Sequence, residues 1–353
     1  MKHHFLLFIA ALLAPTAILF AQDEQGDDRA PVTFKEIYDE PYSINKLFLG
    51  FQPLYGELFT ANVNAGFGAE AVYYYENKLD FRAHFRKPYS RKFFDFARTV
   101  AFNDNDADNR AEVYNYFELG ATYHVKDFEE SSSTKMFLFK STYAGHRWAS
   151  RVPMNAQVPC KVRKIYGVRL GGFMWDSSTD INRALAKQGL THADLGLPEQ
   201  EFDVNGEVEN VDLFTNLSSA GLYLGGSMAW IRNIAVEFDE YEPGAVDQIY
   251  TVFADLLYAP SLTLSDIVYS EKDAQGNRDL TTTATYPVTP IKLNNVGFRV
   301  GMDGRFNRTL SWAYGAEIGY RPGVEGRSFF ALFKISFPVY STNLDNTVES
   351  FGK

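Results

Sequence analysis

The chain has 353 residues, a formal net charge of −10 and a sequence pI of about 5.2. That acidic balance argues against nucleic acid as a partner, because phosphate binding needs a basic surface. With Cys160 as its only cysteine, the chain can form no internal disulfide. It carries 30 Phe and 21 Tyr at a mean hydropathy of only −0.23. This excludes a bundle of membrane helices and fits strands in which every second residue is polar or small.

Met1-Lys2-His3-His4 leads into an apolar run, Phe5 to Phe20, broken only by Pro15 and Thr16. Ala21-Gln22 then opens into an acidic stretch beginning at Asp23. The pattern predicts a cleaved signal peptide over 1–21, although Leu19 departs from the small-residue preference before the cut. Residues 22–45 read as an acidic N-terminal extension, 46–340 as the folded body and 341–353 as a C-terminal tail. Past the signal, no apolar stretch of about 18 residues remains for a transmembrane helix.

Period-two alternation dominates the body. Phe59 to Tyr73 shares one parity, with Asn62, Asn64, Gly66 and Gly68 on the other. Leu79, Phe81, Ala83 and Phe85 alternate with Asp80, Arg82, His84 and Arg86. Phe117 to Val125 alternates with Glu118, Gly120, Thr122, His124 and Lys126, and Thr134 to Ala144 reads as a further strand. Tyr166, Val168 and Leu170 flank Gly167 and Arg169. Leu222, Leu224, Met228 and Trp230 share a face, as do Tyr250, Val252, Ala254, Leu256 and Tyr258. Val296 to Met302, Leu310 to Tyr320 and Phe329 to Val339 close the series, opposite Arg299, Asp303, Glu317, Arg321 and Lys334 among others. One face is apolar or aromatic throughout; the other is charged, small or glycine.

A membrane barrel turns the first face to lipid and the second to a lumen. The prediction is therefore an all-β, antiparallel transmembrane β-barrel of about ten strands, with eight to twelve fitting the pattern. Its loops are long, and one carries a short helix over Ile181–Gln188, started by Asp180 and stopped by Gly189. Trp175 to Ser218 and Pro260 to Lys292 read as external loops. Counting strands puts the long stretch Lys87 to Val113 on the opposite side. Either an additional strand exists, with Lys46 to Phe51 the candidate, or the barrel has a large periplasmic loop.

No catalytic signature is present: no His-Glu-x-x-His, Cys-x-x-Cys, phosphate-binding loop or Gly-x-Ser-x-Gly. His84 and His124 would serve a membrane-embedded lipid hydrolase only if a serine and a carboxylate met them. Asp104, Asp106 and Asp108 open like a calcium loop, but Asn109 and Asn115 stand where its glycine and glutamate belong. The candidate functional set is the charged face: Asp80, Arg82, His84, Arg86, Glu118, His124, Lys126, Arg169, Arg299, Asp303, Glu317, Arg321 and Lys334. These residues either pair across a narrow bore and plug it or line a water path; ten strands favour the plug.

With its signal peptide, its alternating strands and its aromatic last strand around Phe329 to Phe337, the chain resembles the broad class of bacterial outer-membrane β-barrels. The ending Ile18-Leu19-Phe20-Ala21-Gln22 looks like signal peptides of the Bacteroidota. Members of the class often end on an aromatic residue used in assembly; here Tyr340 to Lys353 follow the last strand and displace that signal inward. The resemblance implies an outer-membrane location, lipid as a neighbour and envelope proteins as partners through the loops. It implies no cofactor. The expected function is a structural or accessory component of an envelope transport or secretion assembly, not an enzyme. The alternatives are a passive small-solute channel and a lipid-acting enzyme.

Overall fold

A computed structural model describes residues 32–59, 62–89, 107–109, 115–138, 154–197, 213–271, 279–307 and 312–342. Ten strands form a closed antiparallel barrel. They are β1 (Leu47–Phe59), β2 (Asn62–Tyr75), β3 (Leu79–Pro88), β4 (Asn115–Leu138) and β5 (Met154–Asp180), then β6 (Phe214–Ile231), β7 (Gln248–Leu264), β8 (Val296–Phe306), β9 (Ala313–Tyr320) and β10 (Phe329–Ser341). Each strand pairs with its neighbours in sequence, and β10 closes on β1. Closure satisfies the backbone donors and acceptors that an open sheet would leave at its edges. The alternation sets the two faces. On β8, Val296, Phe298, Val300 and Met302 point outward, while Gly297, Arg299, Gly301 and Asp303 are buried inside.

Two of the ten strands differ from the sequence reading. Phe59 pairs with Asn62, so β1 and β2 are separate strands joined through Thr60 and Ala61. Phe59 faces inward and Val63 outward. The break was hidden because neither connecting residue is Gly, Asn, Asp or Pro, the usual marks of a hairpin turn. Conversely, the two strands expected around Phe117 to Val125 and Thr134 to Ala144 begin as one, β4; residues 139–144 lie outside the described residues. The added strand, for which Lys46 to Phe51 was the candidate, and one merger preserve the number ten but change the topology. The connections after β3, β5 and β7 now all leave the same end, so the odd placement of the 87–113 stretch disappears.

That loop end carries helix α1 (Ile181–Gln188). The Asp180 side chain accepts a hydrogen bond from the Arg183 backbone at 2.9 Å, and Gly189 ends the helix at φ +70°. These are the two caps expected from sequence. Ile181, Ala184 and Leu185 pack with Leu195, Leu213, Leu217, Ile267, Val288, Ile291 and Val324, above Phe59, Trp175 and Phe330 of the barrel mouth. Gln188 links three connections: its Oε1 accepts from the Lys292 backbone at 2.8 Å, and its Nε2 donates to Lys292 O at 3.0 Å and Glu325 O at 3.3 Å.

At the opposite, terminal end, β4 and β5 run past the barrel. β3 stops pairing at Tyr123 and β6 at Arg163, so residues 130–138 and 154–162 pair only with each other. Met136, Leu138, Ala156, Val158, Cys160 and Val162 are buried on one face of this extension. A three-stranded sheet of Phe34–Asp39, Ile234–Phe238 and Gly244–Val246 lies against it. The Lys161 backbone donates to Asp39 Oδ2 at 2.7 Å. Part of the acidic N-terminal extension is thus a strand of a folded subassembly.

Candidate functional site: the barrel lumen

The inward faces of the strands fill the barrel with charge in three layers. Near the loop end, Arg321 Nη2 lies 2.6 Å from Glu57 Oε1, and its guanidinium stacks 4.0 Å from the Phe330 ring centroid. Arg86 stacks at 4.0 Å over Tyr116. Arg299 is the hub of the middle layer. It donates to both oxygens of Glu118 at 2.5 and 2.7 Å and to Asp255 Oδ2 at 2.8 Å, with Glu317 at 3.5 Å. Tyr116 donates its hydroxyl to Glu118 at 2.5 Å. Arg169 donates to the other oxygen of Asp255 at 2.9 Å and stacks at 4.0 Å over Phe253. In the layer nearest the terminal end, Asp303 bridges Lys334 at 2.9 Å and Arg82 at 3.2 Å. Arg82 also holds Asp80 at 2.9 Å, and Glu70 lies 3.7 Å from Lys334 and 3.8 Å from Arg305 and His84.

Glycines make room for these large side chains. A Cβ on Gly301 would lie 2.4 Å from the Phe253 ring, and one on Gly315 would lie 2.5 Å from the Asp303 carboxylate. The glycine-rich parity of β8 and β9 is therefore the counterpart of the charges that fill the bore. Among the described residues, Glu57, Glu70, Asp80, Glu118, Asp255, Asp303 and Glu317 face an equal number of cations, Arg82, Arg86, Arg169, Arg299, Arg305, Arg321 and Lys334. Buried ions are costly unless paired and hydrogen-bonded, and here each sign meets the other. The stacked guanidiniums gain further from the aromatic faces beneath them.

Both mouths are covered. The cap around α1 covers the loop end with apolar side chains. At the terminal end Ile44, Phe48, Ile165, Ile231 and Ile249 form a second apolar cluster. Asn45 is latched above it, its backbone donating to Asn307 Oδ1 at 2.8 Å. Asn233 Nδ2 donates to the carbonyls of Ser43 at 2.8 Å and Glu40 at 3.1 Å.

Twelve of the thirteen predicted lumen residues meet in this interior: Asp80, Arg82, His84, Arg86, Glu118, His124, Arg169, Arg299, Asp303, Glu317, Arg321 and Lys334. Lys126 does not. The β4–β5 register shifts between His124 and Lys126, which reverses the parity and leaves Lys126 exposed over Phe128 at 4.4 Å. The reading of the sequence missed Glu57, Glu70, Asp255 and Arg305. Glu70 and Asp255 alternate with outward residues and were readable; Glu57 lay beyond the expected end of the candidate strand at Phe51, and Arg305 beyond the expected end of β8. The histidines are structural partners here. His124 sits 2.9 Å from Asn77 O and 3.1 Å from Asp80, and His84 faces Glu70. Asp104 and Asp106 lie outside the described residues; the Asp108 backbone donates to Val268 O. Among the described residues no cluster of three His, Cys, Asp or Glu is placed to hold a metal.

The outer surface is the inverse of the lumen. Val168, Leu170, Leu224, Val300, Ile318 and Phe333 are exposed along its middle. Aromatic pairs rim it. Tyr73–Phe81, Trp230–Tyr250 and Trp312–Tyr314 lie toward the terminal end; Phe85–Phe117, Phe298–Tyr320 and Tyr320–Phe329 lie toward the loop end. Among the described residues no helix is long and apolar enough to cross a membrane. A comparison of the chain with protein-family models and with curated proteins finds nothing that matches.

Proposed function

We propose that this chain is a sealed outer-membrane barrel that serves as a structural or accessory component of an envelope transport or secretion assembly. One observation carries the reading: an apolar wall rimmed with aromatics encloses a bore filled by ion pairs and covered at both mouths. An apolar belt on this scale is what lipid contact requires and what water penalises. A bore filled by ion pairs supports scaffolding over passive conduction. The cap and the terminal-end extension are then the surfaces left for partners. Membrane fractionation with heat-modifiable gel mobility tests the location, and planar-bilayer recording tests the seal. The purified chain is expected in the outer-membrane fraction, with no stepwise conductance. Recovery of native protein from the soluble periplasm removes the barrel-in-membrane reading; steady conductance that responds to Arg299 and Glu317 substitutions replaces the scaffold with a channel.

A further inference from the structure

The charge network does not use every polar group inside the barrel. Along β1 and its two neighbours lie four neutral side chains with buried atoms that have no hydrogen-bond partner on the protein: Gln52 Oε1, Tyr55 OH, both amide atoms of Asn64, and Ser336 Oγ. Gln52, Tyr55 and Asn64 are fully buried and Ser336 is 2 % exposed. The register makes them one strip. Tyr55 stands opposite Gly66, and Asn64 is the next inward residue of β2, opposite Glu57. Gln52 stands opposite Gly68 on the other side of the β1 bulge. Ser336 lies at the bulge in the β10–β1 seam, its Oγ pressed against Gly50.

A buried polar group left without a partner costs about 1–3 kcal/mol, and native interiors rarely carry several together. The set mixes a hydroxyl donor, an amide donor and carbonyl acceptors. A ligand that only accepts or only donates would satisfy part of it. A cation is further disfavoured because Lys334 Nζ already lies 3.7 Å from Glu70, the carboxylate that Gln52 holds. We propose that this strip binds a short file of ordered water molecules, each bridging two or three of these groups. Gln52 fits that role: its amide nitrogen is committed to Glu70 at 3.1 Å, which leaves its oxygen to accept from water. The β10–β1 wall thereby meets its neutral polar groups through water, while the charges around Arg299 meet chiefly one another.

Hydroxyl-radical footprinting of the full chain, purified in detergent, reads this directly, because buried water delivers radical to side chains that bulk solvent does not reach. Tyr55 is expected to label at a rate comparable with exposed Tyr42, while Phe59, equally buried, stays protected. Tyr55→Phe is expected to lower the melting temperature, since a bound water loses a partner. Protection of Tyr55 to the level of Phe59 overturns the proposal. So does labelling accompanied by an unchanged or raised melting temperature in Tyr55→Phe, which would show a hydroxyl that no water bonds.

Discussion

The barrel wall and the loop cap are built from one chain on opposite plans. In the wall, Leu224, Val300 and Phe333 face outward and Arg169, Arg299 and Lys334 inward. In the cap, Ile181, Leu185 and Leu195 face inward, while Arg183 is 55 % exposed at its side chain. A helix in water hides its apolar stripe, and the cap does this. The wall does the reverse, which is the arrangement the proposed lipid surroundings require. On that proposal the two regions meet two different solvents. Variants on each side should therefore respond to different physics.

The largest effect is expected at the hub. Arg299→Ala removes the cation shared by Glu118, Asp255 and Glu317 and leaves their charge uncompensated in the bore. The loss should be about 3–5 kcal/mol, as for other buried ion pairs broken from one side. Urea unfolding in detergent, followed by gel mobility, measures it. A midpoint equal to wild type would mean that water reaches these carboxylates freely, and the filled-lumen account would fall.

The cap answers to cavity energetics instead. Leu185→Ala, at a site 3 % exposed, should cost about 2–5 kcal/mol of local stability. Hydrogen exchange should quicken over residues 181–197 and leave β8 and β9 protected. Equal acceleration in both regions would show that the two halves unfold together, against the division drawn here. The outward face gives the sharpest contrast. Val300→Arg places a cation in the middle of the apolar belt, where a bilayer imposes about 2–4 kcal/mol and water almost nothing. Refolding into lipid vesicles should lose that amount. If the variant refolds into vesicles as well as wild type does, the apolar wall meets something other than lipid.

Much of this plan was legible in the sequence, because alternation fixes the face of a side chain wherever a strand is uninterrupted. Twelve lumen residues followed from parity alone, and α1 followed from Asp180 and Gly189. The failures sit where parity breaks without a local sign. Thr60-Ala61 is a two-residue connection without turn residues. The register shift beside Val125 turns Lys126 outward, and nothing in the chemistry of the stretch marks it. The cap core was invisible for another reason. Leu185, Val288 and Val324 come from three separate connections, and no periodicity joins residues that meet only in space.

The smallest predicted effect is a pH response confined to the cap. Burial holds the His192 imidazole below its ordinary value near 6.5. Its Nε2 lies 2.8 Å from Asn182 Oδ1. Asp194 is held below the usual carboxylate range by the backbone N–H and hydroxyl of Thr191, each donating to Oδ2 at 2.7 and 2.8 Å. Both groups bind protons less readily folded than unfolded, so the unfolded chain takes up more protons as pH falls. Stability from His192 is complete well above 6.5 and is lost as pH drops through that value toward its folded one. Stability from Asp194 is lost only lower, below the ordinary aspartate value of 3.8. Protection over residues 181–197, taken relative to the intrinsic exchange rate, should therefore fall first as pH drops through about 6.5, while β8 shows no matching change. His192→Gln, which cannot titrate, should remove that first step and leave the acid one. Persistence of the upper step in the variant would assign it to a group outside the cap, and the contrast between cap and wall would lose its pH signature.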